Sequence, residues 1–237
     1  MSQDIDYVVF DKFDGGINTF NALTNLKPNE LEDCQNVYPE SRGAIRKIKG
    51  WTKFLSTDAG GSAVTGLYEF QKKDGTRFKI KVQGAAIYVW NTSTLAWDNK
   101  TGSCTITSNK NYQWRFADMG DKVFAVNGYD APIYWDGAAA SFSTFSGANI
   151  PSTAEGLFVW QNRLWFFCTT EAATLYPMRV RASDNGDPST FSDANAFVDV
   201  DGAFGGRFLT CVYPDRQNYA YAFCIPKGVY ILIWDAT

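Results

Sequence analysis

The sequence predicts an all-β protein, a propeller-like arrangement of antiparallel blades preceded by an irregular N-terminal arm that contains a short helix. Three observations predict it. Aromatic residues are abundant, with 18 Phe, 12 Tyr and 8 Trp among 237 residues, and such side chains suit the pleated surface of a strand. From Val64 onward, short apolar runs are broken by Gly, Asp and Asn at intervals of roughly 8 to 12 residues, the spacing of strands joined by tight turns. These runs also fall into four sections that can be laid over one another, the periodicity expected when similar sheets pack face to face around an axis.

The arm comes first, over residues 1–57. It is polar and poor in strand-like runs, and its one regular element is predicted over residues 27–36, KPNELEDCQN. Pro28 suits a first helical turn, where its missing N–H removes no hydrogen bond, and the acids that follow favour the positive end of the helix dipole. Leu26, Leu31 and Cys34 are the positions expected to be buried.

Residues 58–237 form the predicted propeller-like domain. Its first section pairs GLYEF (66–70) with RFKIKV (77–82) and continues through AAIYVW (85–90) to LAWDN. The second runs WRFADMGDKVFAVNG (114–128) and then APIYWDG (131–137). The third opens with GLFVWQNRLWFFC (156–168) and goes on to MRVRAS (178–183). In the fourth, FLTCVYP (208–214) precedes YAYAFCIPKGVYILIWD (219–235). The aromatic pairs Tyr88/Trp90, Tyr134/Trp135, Trp160/Trp165 and Tyr230/Trp234 are predicted to pack between blades as large plates. A sandwich or barrel with the same strand spacing is the alternative topology. Four sections are few for a closed propeller of about four to eight blades, which leaves open an incomplete ring or an incomplete chain.

Composition narrows the function. The formal charge is −3, from 22 basic and 25 acidic residues, too balanced for a protein whose main task is to wrap nucleic acid. The five cysteines, Cys34, Cys104, Cys168, Cys211 and Cys224, form no C-x-x-C pair, and the chain has no histidine, so the usual zinc pattern is missing. They read as reduced thiols of a protein made in a cytoplasm. The N-terminus MSQDIDYVVF lacks a secretory pattern, and no apolar stretch is long enough to span a bilayer, so no membrane association is expected.

The absence of histidine also removes the usual base for a Ser, Thr or Cys nucleophile. Acid–base chemistry would fall to carboxylates, and glycosidases place two across a cleft, which makes Glu69, Asp118, Asp121, Asp130, Asp136, Asp184 and Asp187 the candidates. Most sit in D-G, G-D or N-G-x-D contexts, where aspartate closes turns through its own side chain. DVDGAFGG (199–206) has the spaced acids of a calcium loop without the downstream Glu. No phosphate-binding glycine motif is present. The expectation is therefore a protein with no catalytic residue, no metal and no cofactor.

One charge cluster carries a binding hypothesis. Arg42, Arg46, Lys47, Lys49 and Lys53 lie within a dozen residues without an intervening acid, suited to an acidic neighbouring subunit, to phosphates of DNA, or simply to solvent.

Several motifs carry a family resemblance. DGGIN (14–18), then LKPNELEDCQNVYPESRGAIRKIKGWTKF (26–54), resembles the opening of podovirus tail proteins, the nozzle or tail tubular protein B group and the related phage stabilisation proteins. The matching positions are Gly15, Gly16, Ile17 and Asn18; Leu26, Glu30, Asn36 and Val37; and Arg42, Gly43, Lys47 and Gly50. DKVFAVNGYDAPIYWDG (121–137), WQNRLWFF (160–167) and RASDNGDPSTFSD (181–193) are similar to later stretches of the same families. The resemblance implies a virion protein made in the host bacterial cytoplasm. It implies a homo-oligomeric ring, six-fold in those families, below the portal and adaptor, touching other tail proteins and passing DNA non-specifically during ejection. The chain is shorter than nozzle proteins usually are, so a receptor-contacting role is not carried over. A carbohydrate-binding or glycoside-cleaving propeller at the host surface, and a cellular propeller acting as a scaffold, are the other two function classes.

Overall fold

The computed structural model describes residues 12–20, 25–40, 43–50, 62–200, 208–215, 219–225 and 228–233. It divides into two units, Met1–Asp58 and Ala59–Thr237. In the first unit the described strands are short. β1 (Gly16–Ile17) pairs in parallel with β2 (Glu30–Leu31), and β3 (Val37–Pro39) makes an antiparallel hairpin with β4 (Ile45–Lys47).

The helix predicted over residues 27–36 is not formed. Glu30 N donates to Lys27 O at 3.0 Å, closing a turn. The Glu30 carboxylate then accepts from Lys27 N at 3.2 Å and from Asn18 Nδ2 at 3.0 Å, which ties the turn to the end of β1. Asn36 has φ +59°, outside helical space. A ten-residue helix must repay a costly nucleus through packing, and Leu26, Leu31 and Cys34 are only half-buried.

Among the described residues, the second unit is built from four successive sheets, each an antiparallel meander in chain order. Sheet I contains β5 (Val64–Gln71), β6 (Arg77–Gln83), β7 (Ala86–Asn91) and β8 (Ala96–Asn99). Sheet II contains β9 (Arg115–Met119), β10 (Lys122–Val126), β11 (Ile133–Trp135) and β12 (Ser143–Thr144). Sheet III contains β13 (Thr153–Trp160), β14 (Arg163–Glu171), β15 (Thr174–Ala182) and β16 (Phe197–Asp199). Sheet IV contains β17 (Phe208–Pro214), β18 (Tyr219–Ile225) and β19 (Val229–Ile233). The first strands of the sheets are neighbours, β5 beside β9, β9 beside β13 and β13 beside β17, so they line a common axis. The arrangement is propeller-like and nearly all β.

Alternation along single strands sorts residues into successive cores. Val123 and Ala125 of β10 face sheet I, joining Ile80, Val82, Ile87 and Val89, while Phe124 and Val126 face sheet III and meet Leu164 and Phe166. In β14 the next residues, Trp165 and Phe167, point the other way, onto Leu209, Val212, Ala220 and Ala222 of sheet IV. A strand covered on both faces has no solvent side to make polar, which is why KVFAV and RLWFFC read as unbroken apolar runs. Of the predicted aromatic plates, Trp135, Trp160 and Trp165 are buried between sheets and Tyr134 packs at the sheet II–III core. Tyr88 and Trp90 instead lie on the face of sheet I turned away from sheet II, opposite the buried Ile87 and Val89, and Trp234 lies outside the described residues.

Polar tethers fix neighbouring sheets in register. Lys73 N donates to Asp121 Oδ1 at 2.7 Å and the Tyr68 hydroxyl to Asp118, joining sheets I and II. Gly128 N donates to Ala154 O at 2.8 Å, joining II and III. Phe166 is fully buried in the core shared by sheets II and III. Phe166→Ala is expected to lower unfolding stability by about 3–5 kcal/mol, read as a shift of the guanidinium midpoint.

Candidate functional site: an axial cavity and a basic hairpin

The carboxylates weighed as acids or bases are engaged in architecture. Asp130 accepts from Thr107 N at 2.8 Å, Thr107 Oγ1 at 2.6 Å and Asn127 Nδ2 at 2.8 Å, which knots the β8–β9 connection to the turn after β10. Asp136 accepts the amides of Ala138 and Ala139 at 2.9 and 2.7 Å. Those backbone donors hold its carboxyl below the usual range. Asp187 accepts from Thr190 Oγ1 at 2.6 Å and Ser189 N at 2.8 Å, with the same consequence. Asp184 takes Ser192 N at 3.1 Å, and Glu69 pairs with Arg77 at 3.3 Å. This is the chemistry of aspartate in turns.

Asp199, the first acid of the segment with calcium-loop character, is bound to Arg179, whose Nε and Nη2 reach its two oxygens at 2.7 Å each. The following residues, 201–206, lie outside the described residues. Arg179 also donates to Glu171 at 3.1 Å, as does Arg181 at 3.0 Å. The rings of Tyr176 and Phe197 each lie 3.7 Å from the Arg179 guanidinium. This cation is thus paired and stacked at once, and it fastens β16 to sheet III. The planar fork is essential to that geometry.

A cavity of about 340 Å³ opens beside the first strands, among β9, β13, β14, β15 and β17. Its polar lining among the described residues includes Arg115, Glu155 and Cys168. Arg115 and Glu155 approach at 3.7 Å, and Arg115 Nη1 donates to Thr210 O at 3.0 Å. Two bulges shape the wall. The β14–β15 register shifts at Cys168, whose φ is +50°, and the β17–β18 register shifts at Thr210. Bulges of this kind re-aim side chains at the rims of β structures. Close approach also requires glycine here, since a Cβ on Gly156 would stand 2.2 Å from Phe167 Cζ.

Burial pushes the Cys168 thiol up to about 11, with Glu155 adding to the rise and Arg115 opposing it. At neutral pH the group is a protonated thiol, a poor nucleophile. The lining supplies one carboxylate among the described residues, Glu155, so it presents no second acid at the spacing glycoside cleavage needs. Sequence reasoning did not single out Arg115, Glu155 or Cys168. A glutamate beside a glycine within an otherwise apolar strand, Glu155-Gly156, was the available signal.

The predicted basic cluster is only partly described. Arg42 and Lys53 lie outside the described residues. Arg46 and Lys47 are consecutive on β4, so they project to opposite faces of the hairpin, and Lys49 follows the strand; all three are exposed. Arg46 Nε binds Glu40 at 2.8 Å across the turn. The structure therefore does not gather Arg46, Lys47 and Lys49 on one face.

The folded state holds the Cys168 proton more tightly than the unfolded chain, whose thiol ionises near 9, so that stabilisation is whole below pH 9 and is lost as pH rises toward 11. Urea unfolding measured at intervals across this window should therefore show stability falling more steeply for the native chain than for Cys168→Ala, which has no thiol to ionise. Arg179→Lys, which keeps the charge and loses the fork, should cost about 1–3 kcal/mol of stability in the same unfolding measurement at neutral pH.

No family model matches the chain, and neither does any curated protein. Among solved structures, the computationally designed Ika4 protein aligns with a TM-score of 0.49 at 14% identity, over 78% of this chain and 99% of its own. The computationally designed Ika8 protein aligns with a TM-score of 0.50 at 13% identity, over 86% of this chain. This chain spans 57% of the Ika8 chain. At such identity the likeness to Ika8 is one of fold alone.

Proposed function

We propose that the chain is a structural subunit of a bacteriophage tail, assembling with copies of itself into a ring or nozzle below the portal and adaptor and catalysing nothing. One observation carries this reading: the motif residues that resemble tail proteins hold turns and sheet junctions together. Asn127 Oδ1 accepts the amides of Tyr129 and Asp130 at 3.0 and 2.8 Å, and Asp136 closes the turn at Gly137. The loop at residues 184–193 is tied by its own aspartates and anchored to sheet II through Lys122 Nζ, which donates to Ser189 Oγ at 2.6 Å. Residues used in this way preserve a shape, which is what a ring component contributes. The exposed Arg46, Lys47 and Lys49 then serve contact with an acidic neighbouring subunit, with DNA in the conduit as a secondary role.

A second reading, a propeller that contacts glycans, draws on Tyr129, which is 56% exposed and stacks on Tyr112 at a centroid distance of 4.4 Å. Such a platform suits the apolar face of a sugar ring. Glycan-array binding that disappears in Tyr129→Ala would favour it.

The test of the first reading is electron microscopy of the purified chain, alone and mixed with portal–adaptor complexes. Closed rings with a central opening, or a ring seated on the adaptor, are the expected result. Arg46→Glu combined with Lys49→Glu should reduce ring yield several-fold. Failure to form rings under both conditions would overturn the proposal.

A further inference from the structure

An antiparallel sheet that meets water on one side alternates apolar and polar residues, and sheet IV does not. Its inner face, including Leu209, Val212, Ala220 and Ala222, packs on sheet III. The opposite face carries Phe208, Tyr213, Phe223, Ile225, Ile231 and Ile233, aligned by the β17–β18 and β18–β19 registers. Ile233 is 69% exposed, Tyr213 63%, Ile231 57% and Ile225 55%. No charged side chain stands on the three strands of this sheet among the described residues.

The other end of the stack is different. The face of sheet I turned away from sheet II carries Glu69, Arg77 and Lys79 among Leu67, Tyr88, Trp90 and Trp97, a mixed surface that includes charge. Among the described residues, one end of the stack thus carries charged side chains and the other carries none.

We propose that in solution the outer face of sheet IV packs against the same face of a second copy of this chain, around a two-fold axis. Charge selects the occupant. Docking onto the charged face of sheet I of another copy would bury Glu69, Arg77 and Lys79 against hydrocarbon, at a high desolvation cost, whereas self-pairing buries no charge. Shape permits it, because two sheet faces stack about 10 Å apart with their strands within about 30°.

Area is sufficient as well. A face of aromatic and branched residues, each roughly half-exposed, offers on the order of 800 Å², the share per partner in a stable interface. Exposed alone, it would exceed the apolar patch of a typical monomer, about 300–600 Å². A two-fold contact closes as a pair, so the inference stands apart from the tail reading, whose ring requires another surface.

The experiment is sedimentation of the full chain beside Ile231→Asp and Lys79→Glu. The native chain and Lys79→Glu should be dimers and Ile231→Asp a monomer with an unchanged circular dichroism spectrum. A monomeric native chain, or a dimer lost in Lys79→Glu and kept in Ile231→Asp, overturns the pairing. Cys211 provides a readout that needs no variant, since it is exposed and opposes Phe223 in register on the same face. Its maleimide labelling should slow several-fold as protein concentration rises, and a rate independent of concentration overturns the proposal. Dimers without rings would support the pairing while counting against the tail reading. Rings of unchanged size in Ile231→Asp, with fast Cys211 labelling throughout, would do the reverse.

Discussion

Burial of both faces of each inner sheet is the constraint on which the rest of this structure depends. A three- or four-stranded sheet cannot shelter two apolar faces by itself, and the second unit solves the problem by stacking, so that β10 and β14 each feed two cores with alternate residues. Hydrophobic burial supplies the drive; direction comes from hydrogen bonds. The Asp130 knot, the Lys73–Asp121 tie and the Arg179 clamp with Glu171 and Asp199 decide which turn meets which sheet. The first two sit at connections, and the Arg179 clamp joins β14, β15 and β16 within sheet III, where a slip of register would turn an apolar face outward.

The same packing creates the axial cavity. First strands are neighbours, and a space remains among β9, β13, β14, β15 and β17. Bulges at Cys168 and Thr210 belong to its wall. The Arg115–Glu155 pair and the protonated Cys168 give it polarity. The paired, stacked Arg179 illustrates a related point: a cation set inside a sheet is tolerable when both carboxylates and rings surround it.

Much of the fold was legible in the residues. Turn signals around D-G and N-G placed the hairpins, and the four sections correspond to the four sheets, because period-2 alternation and tight turns are local properties. The helix over residues 27–36 was misread for a related reason. Pro28 and the acids after it are also good turn formers, and the carboxylate of Glu30 found Asn18 and a backbone amide instead of a helix end. Aspartates read as turn closers at Asp136 and Asp187 hold turns. The cavity residues were not legible, since Arg115, Glu155 and Cys168 come from three different strands and nothing in any one of them marks the others.

By itself, then, the sequence determined the β class, the strand spacing and the turn chemistry, all of which depend on residues a few positions apart. Only the tertiary structure decided which face of each strand became core, that Tyr88 and Trp90 point away from sheet II while Trp135 and Trp165 are buried, and that sheet IV, among the described residues, presents an exposed apolar face. An apolar strand residue looks the same in sequence whether its neighbour is another sheet or water. The difference lies in contacts between segments far apart along the chain, which local pattern does not encode.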